Sequence, residues 1–500
     1  MESISKSDEE RTALQRRWAL LGAYIAILLF AGLGHHGLLE PDEGRYANMA
    51  LEFLEPEHHW SEPMLSDVEH YDKPPLIYWI TGGFLKVFGA NETAARLPSS
   101  TGSLLALAGV FLIAFRLYGE RAAWWSVLAC ATTIQFWLLG RLLSPDMLMC
   151  GFCTLGTGLA LWEGKGPWKW VSWGAGVLCW TLAWWTKATA ALVPLAALSL
   201  ALLITGRHDL LSRLRPLRLL GLVLLLGSPW YVVMMTRHAE LREFFFHREL
   251  VGRVTGHEDG RTGFPGFHFV AAAALWLPWW PKVVALALRH RHRWTETVSW
   301  RERLRSVPFE PVTALLILVI FSAISSKLIT YTLPGVPMLA VAVGSLMRKR
   351  QFSFRNADER WLAVGAVSAA ALVLTLPLME SDLGSNSSAR KAVEQSKALE
   401  AQGWISDRFL PGLEFYGGES VWYVNTDSLV QVDDSKGQSP REHFLEAEEA
   451  HRFVSRWDRD LWLIQARKQL PHWKQRLIEE RLEPDSPPLK VGDFLLWKLK

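Results

Sequence analysis

Two adjacent acids, Asp42 and Glu43, open the stretch Pro41-Asp-Glu-Gly-Arg-Tyr-Ala-Asn-Met. Pro41 and Asp42 favour a helix start, and helical spacing puts Asp42, Arg45, Tyr46 and Met49 on one face. Taken alone, the pattern also fits an amphipathic helix at a membrane surface with a solvated acidic cap. A second stretch reads Tyr71-Asp-Lys-Pro-Pro-Leu-Ile-Tyr-Trp. There Lys73, beside Asp72 and upstream of Tyr78, suits a lipid phosphate at headgroup level or simple snorkelling. Further along, ionisable groups stand at the ends of apolar runs: Glu92 and Arg96, Asp146 after Arg141, Lys187 in Trp-Trp-Thr-Lys, and Lys327 with Tyr331. Charges at such depths are costly and mark function more often than packing.

The elements that must position these groups are membrane helices. The 500 residues are 50% hydrophobic and include 26 Trp. The apolar residues gather in runs at 18–35, 97–117, 122–140, 145–162, 168–185, 188–205, 216–235, 267–288, 311–325, 328–347 and 361–379. Each approaches the length that crosses a bilayer core, and Trp clusters near the run ends as an aromatic belt does. The shorter run at 75–89 reads either as a further span or as an interfacial helix. The expected class is an all-α polytopic membrane protein of about 11–13 spans. The first run follows Lys6, Arg11, Arg16 and Arg17 and reads as an uncleaved first span.

With the N-terminus cytoplasmic, the basic loops Arg116/Arg121, Lys165/Lys169, Arg207/Arg213/Arg215/Arg218, Arg289–Arg305 and Arg348/Lys349/Arg350 all fall inside, if 75–89 does not cross. The long segments 36–96, 236–266 and the tail then face outward. The motif residues share that side, so Asp42, Arg45, Lys73 and Tyr331 are expected to line one outward cavity. Division falls into a transmembrane domain over 1–380, with its first outer loop at 36–96, and a small extracytoplasmic α/β domain over 381–500. In that tail, strands are expected at Val421–Val424 and Phe494–Leu499 and helices at Glu442–Trp457 and Lys468–Glu480.

Net charge is +3, and nothing points to nucleic acid. Cys130, Cys150, Cys153 and Cys179 lie inside apolar runs. The Cys150-x-x-Cys153 spacing therefore reads as packing, not as a redox or zinc motif.

Asp42-Glu43-Gly-Arg45-Tyr46, Asp72-Lys73-Pro-Pro-Leu, Glu92-x3-Arg96-Leu, Asp146-Met and Lys327-Leu-Ile-Thr-Tyr331-x-Leu-Pro follow one another in a family order. Over about residues 18–350 the chain resembles the bacterial aminoarabinose (lipid A) transferases and their protein O-mannosyltransferase relatives, which are GT-C glycosyltransferases. The resemblance implies a polyprenyl-phosphate sugar donor, a lipid or envelope acceptor and transfer with inversion at the outer face of the inner membrane. It implies a catalytic role for Asp42, with Glu43 and Asp146 as further catalytic candidates. Arg45, Tyr46, Asp72, Lys73, Tyr78, Arg96, Lys187, Glu249, Arg253, Lys327 and Tyr331 become candidates for binding donor phosphate or substrate. Two positions depart from the family pattern. Asp72 stands where Glu is frequent, and Glu249-Leu-Val-Gly-Arg253 lacks the usual His after the acid. Leu250 cannot bind metal. A divalent ion, if used, has His247, His257 and Asp72 as candidate ligands. The alternatives are a related enzyme that glycosylates protein or transfers a larger glycan, a transporter or flippase, and a structural membrane protein with a recruiting tail.

Overall fold

In the computed structural model, the described residues are 2–56, 60–66, 68–162, 166–246, 263–289, 305, 307–347, 388–406, 409–418, 420–424, 444–445, 447–457, 460–466, 487–491 and 494–499. The run at 361–379, the helix expected at Lys468–Glu480, and His247, Glu249, Arg253 and His257 lie outside them. The chain divides into two compact units, Met1–Ala31 with Pro98–Val373, and Gly32–Leu97 with Leu374–Lys500. The first outer loop thus shares a unit with the tail, whereas chain order had grouped it with the spans.

The first unit is helical. Its elements include α1 (Glu2–Phe30), most of α4 (Glu92–Tyr118), α5 (Glu120–Ala131), α6 (Ile134–Leu139), α7 (Pro145–Leu161), α8 (Trp168–Ile204), α9 (His208–Leu214), α10 (Pro216–Gly227) and α11 (Pro229–Arg237). The helices Phe267–Leu275, Trp280–Arg289, Phe309–Ala323 and Gly335–Met347 follow. Among the described residues, four helical stretches are long and apolar enough to cross a membrane: 92–118, 168–204, 208–237 and 329–347. Several expected spans are interrupted. The run 267–288 breaks between its two helices around Pro278, and 216–235 is locally disturbed at Ser228-Pro229 inside the stretch 208–237. Proline there removes a backbone donor and closes off the preceding turn. The runs 168–185 and 188–205 are two helices, labelled together as α8, that meet at non-helical backbone at Lys187 and Ala188.

Small residues let two of these helices touch. A Cβ on Gly102 would lie 2.7 Å from Leu148 Cα, and one on Gly151 would meet the Gly102 carbonyl. One helical repeat further, Gly109 meets the Thr154 backbone in the same way. This is how α4 and α7 approach without a hydrophobic drive between them. The four cysteines are free thiols, and three are fully enclosed in this unit's apolar packing.

The second unit contains α2 (Asp42–Glu52), a two-stranded ribbon of β1 (Met64–Leu65) and β2 (Val68–Glu69), and α3 (Leu76–Phe88). At 13 residues α3 rises about 20 Å, short of the ~30 Å hydrocarbon core. The tail folds around a six-stranded sheet: β3 (Gly403–Ser406), β4 (Val421–Val424), β5 (Phe444–Leu445), β6 (Leu461–Ala466), β7 (Leu489–Val491) and β8 (Phe494–Lys498), in the order β5-β4-β3-β6-β8-β7. The first four run parallel, while β8 and β7 pair antiparallel. Phe444 and Leu445 pair with Tyr423 and Val424, so the helix expected from Glu442 begins only at Ala447. Alternation sends Trp404, Tyr423, Trp462 and Ile464 to one core, and Ile405, Val424, Leu461 and Leu463 to the other. Arg390–Ala398 and Pro411–Gly417 cover the first face, and Ala447–Arg456 covers the second. Burial on both faces is what a parallel sheet requires.

Candidate active site

Within the second unit, α2 carries the site. Its first turn holds both acids, where the helix dipole favours negative charge. They turn in different directions. Glu43 is 4% exposed and grips Arg96 through two bonds, Nε to Oε1 at 2.8 Å and Nη2 to Oε2 at 2.7 Å. Its Oε2 also accepts from the Leu39 amide at 3.0 Å. Arg96 donates further to the carbonyls of Leu33, His36 and Gly37 and meets His36 Nδ1. A guanidinium has five N–H donors, and here all five point into protein. Arg96 therefore has no donor left for a ligand. It pins the chain that enters α2, and Glu43 is its counter-charge.

Asp42 is 68% exposed and accepts from Arg45 Nη2 at 3.0 Å. Arg45 lies over the Tyr46 ring, 5.3 Å from its centroid. Burial opposes the Arg45 charge, but Tyr46, Asp72, Asp42 and Tyr78 outweigh it and raise its pKa above the ordinary guanidinium value. The Tyr46 and Tyr78 rings stack at 6.1 Å. Lys73 Nζ pairs with Asp72 Oδ1 at 2.7 Å and also donates to the Asp72 carbonyl. The two prolines that follow start α3 and set this turn in place. Asp42, Arg45, Tyr46, Asp72, Lys73 and Tyr78 thus form one cluster of two acids, two cations and two phenols.

The tail supplies a support that no motif announced. Gly44 of α2 has no space for a side chain, since a Cβ there would lie 2.6 Å from the Gly412 amide and 2.7 Å from Glu40 Oε2. At the far end of α2, Asn48 Nδ2 donates to Glu414 at 2.5 Å and to Glu52 at 3.2 Å. Ser66 bonds Glu414 through its hydroxyl and Glu52 through its amide, both at 2.6 Å. At the near end, the Leu38 amide donates to the Tyr416 hydroxyl at 2.7 Å, and Tyr416 reaches Glu92, which also pairs with Arg390. The helix Pro411–Gly417 therefore holds α2 at both ends. The glycine in Asp-Glu-Gly-Arg was the available signal, because a helix-interior glycine often marks close backbone approach.

The first unit holds a separate polar cluster. Ser144 caps α7, accepting from the Asp146 amide at 3.1 Å, and Asp146 Oδ1 pairs with Lys187 Nζ at 2.7 Å. Both side chains are nearly enclosed, at 8% and 7% exposure. Lys187 sits where α8 loses helical geometry, and its ammonium lies 5.2 Å from the Tyr331 ring centroid. Phe321 and His268 stack on Tyr331 at 4.8 and 6.1 Å. Lys327 donates to the Ser322 carbonyl at 2.9 Å and to that of Ile324. Buried Gln135 accepts from Trp276 and Thr332 and donates to the Ile329 carbonyl at 2.8 Å, fixing the turn before Tyr331. Arg141 closes α1 by donating to the carbonyls of Leu28 and Ala31.

Comparison with known proteins bears on both units. ArnT from Cupriavidus metallidurans, crystallised bound to undecaprenyl phosphate, superposes with a TM-score of 0.74 at 20% identity, covering 96% of this chain and 98% of that one. Its apo form gives 0.72 at 18% identity, with 98% of each chain covered. The chain has the GT-C fold. The family model described as dolichyl-phosphate-mannose-protein mannosyltransferase matches residues 72–232. A relative named undecaprenyl phosphate-alpha-4-amino-4-deoxy-L-arabinose arabinosyl transferase, from Pseudomonas paraeruginosa, is 28% identical over 69% of this chain and 61% of its own length. A second, from Pseudomonas fluorescens, is 26% identical over 67% of this chain and 61% of its length. The match spans about three-fifths of these relatives. The resemblance seen in the motifs is thus borne out by sequence and by fold, and the chain is a GT-C-type membrane protein with a small α/β tail.

Proposed function

We propose that this GT-C-type protein is an inverting glycosyltransferase that takes a sugar from a polyprenyl-phosphate carrier and delivers it to a lipid or other envelope acceptor. The observation that carries the reading is the cluster around α2: an exposed carboxylate, Asp42, paired with Arg45, and a second cation, Lys73, held by Asp72 just before α3. In the proposed step an acceptor hydroxyl oxygen attacks the anomeric carbon and the bond from that carbon to the carrier phosphate oxygen breaks. Asp42 takes the hydroxyl proton. The carrier leaves as a phosphate whose growing charge Arg45 and Lys73 offset. Tyr46 and Tyr78 orient sugar and acceptor. Reaction at the outer face of the inner membrane, with the N-terminus cytoplasmic and the tail outside, follows from the basic loops.

The test is transfer in reconstituted vesicles from a panel of radiolabelled polyprenyl-phosphate sugars. Asp42→Asn and Lys73→Ala are each expected to lower turnover by about 10²-fold or more with the fold intact. Full transfer by Asp42→Asn would remove it as base and favour an acceptor that is already anionic. The reading from another class is a transporter or flippase. Movement of intact carrier lipid across the same vesicles, without sugar transfer, would establish that reading and end the first.

A further inference from the structure

The end of α8 remote from Lys187 carries a cleft that the transfer reaction leaves unused. Two adjoining cavities of about 450 and 470 Å³ share Trp170, Trp173 and Arg215 as walls. One compartment is polar, with Lys169, Ser212 and Arg213 around it. The other runs along α10 past Arg218, Gly221, Leu222 and Leu225. A cationic hollow that opens onto a shallow apolar helix face suits an anionic amphiphile.

Local construction supports a built site. Arg215 stands between α9 and α10 with φ 50° and ψ 55°, in the left-handed region that few side-chain-bearing residues adopt. Pro216 follows it and opens α10. The Arg215 guanidinium lies against two aromatic rings, 4.4 Å from the Trp170 centroid and 5.8 Å from that of Trp173. Trp173 is itself tied down by an Nε1 bond to the Leu214 carbonyl. The acid on this loop, Asp209, is engaged by Arg207 at 3.1 Å. A side chain at Gly221 would meet nothing within 4 Å, so the α10 face is uncovered there and leaves room for an acyl chain. Leu225 and Val171, on the two helices flanking the cleft, are 69% and 57% exposed and offer paths for two acyl chains.

Depth separates this cleft from the Asp146–Lys187 pair. Trp170 and Lys187 are 17 residues apart on α8, and the break in that helix begins only at Lys187. The intervening rise is about 25 Å, close to the thickness of a hydrocarbon core. The cleft therefore belongs to the opposite headgroup layer from Lys187.

We propose that this cleft binds one diacyl acidic phospholipid in that leaflet. Arg213, Arg215, Arg218 and Lys169 hold the phosphodiester, Trp170 and Trp173 mark the headgroup boundary, and the chains lie along α8 and α10. The site does not depend on the transferase reading.

The experiment is native mass spectrometry of the full chain in detergent, titrated with phosphatidylglycerol and separately with phosphatidylcholine, alongside melting temperatures. One phosphatidylglycerol is expected to persist per chain and raise the melting temperature, with phosphatidylcholine bound at least tenfold more weakly. Arg215→Ala is expected to weaken phosphatidylglycerol about tenfold. Gly221→Phe keeps every charge, occupies the uncovered α10 face and is expected to do the same, which separates lost binding from lost folding. Equal retention of the two lipids, or unchanged phosphatidylglycerol binding in both variants, would overturn the proposal. Displacement by millimolar inorganic phosphate would also overturn it, leaving a plain anion site. So would equal binding of a polyprenyl phosphate lost in both variants, which would make the cleft a carrier site.

Discussion

The rim of α2 and the pocket beneath it hold neighbouring carboxylates in opposite circumstances. At the rim, Asp42 is exposed and bonds a partly buried arginine across one turn. Beneath it, Glu43 is enclosed and spends its oxygens on Arg96 and the Leu39 amide. A carboxylate whose lone pairs are all engaged by protein donors holds structure together. One that faces solvent beside a cation can stay charged and accept a proton. The comparison divides labour between two residues that chain position alone makes equivalent.

That division can be broken most sharply at Arg96. Arg96→Met strands the buried Glu43 charge and is expected to cost about 3–5 kcal/mol, seen as a large drop in melting temperature. A variant as stable as wild type would mean that the pair is not the pin. Gly44→Ala probes the contact that seats α2 on the tail helix. The added methyl has to displace the Gly412 amide, so a loss of about 1–3 kcal/mol is expected, with transfer falling as Asp42 shifts. Normal transfer in that variant would show that the seat does not position the acid. The smallest stability effect belongs to Asp42→Asn, within about 0.5 kcal/mol of wild type although its transfer is expected to fail. Destabilisation on the Arg96 scale would erase the distinction between rim and pocket.

Much of the site was legible in residue order. Asp42, Arg45, Asp72 and Lys73 were singled out from motif and spacing, and the structure gathers them with Tyr46 and Tyr78 into one cluster. Asp146 and Lys187 were each picked as a charge at a helix end, and they prove to be one ion pair. Arg96 was also picked, as a charge at the mouth of a span, yet its donors all turn inward. A motif reports which residue types occur, and a buried structural arginine and a ligand-binding one look alike at that level. Glu414, Tyr416 and Arg390 were not legible at all, because they act on α2 from more than 300 residues away in the chain.

By itself the sequence determined the class of molecule: apolar runs of membrane length, an aromatic belt, and a polar tail with its own strand and helix periods. Those are local properties, set by side-chain hydropathy and backbone preference over a few turns. Tertiary structure decided which charges meet and which are enclosed. It broke one expected span around Pro278, and it set the turn between two others at Lys187, beside Asp146. It also placed the first outer loop and the tail in one compact unit. Pairing and burial are set by chain segments far apart in sequence, and no local pattern encodes the distance between them.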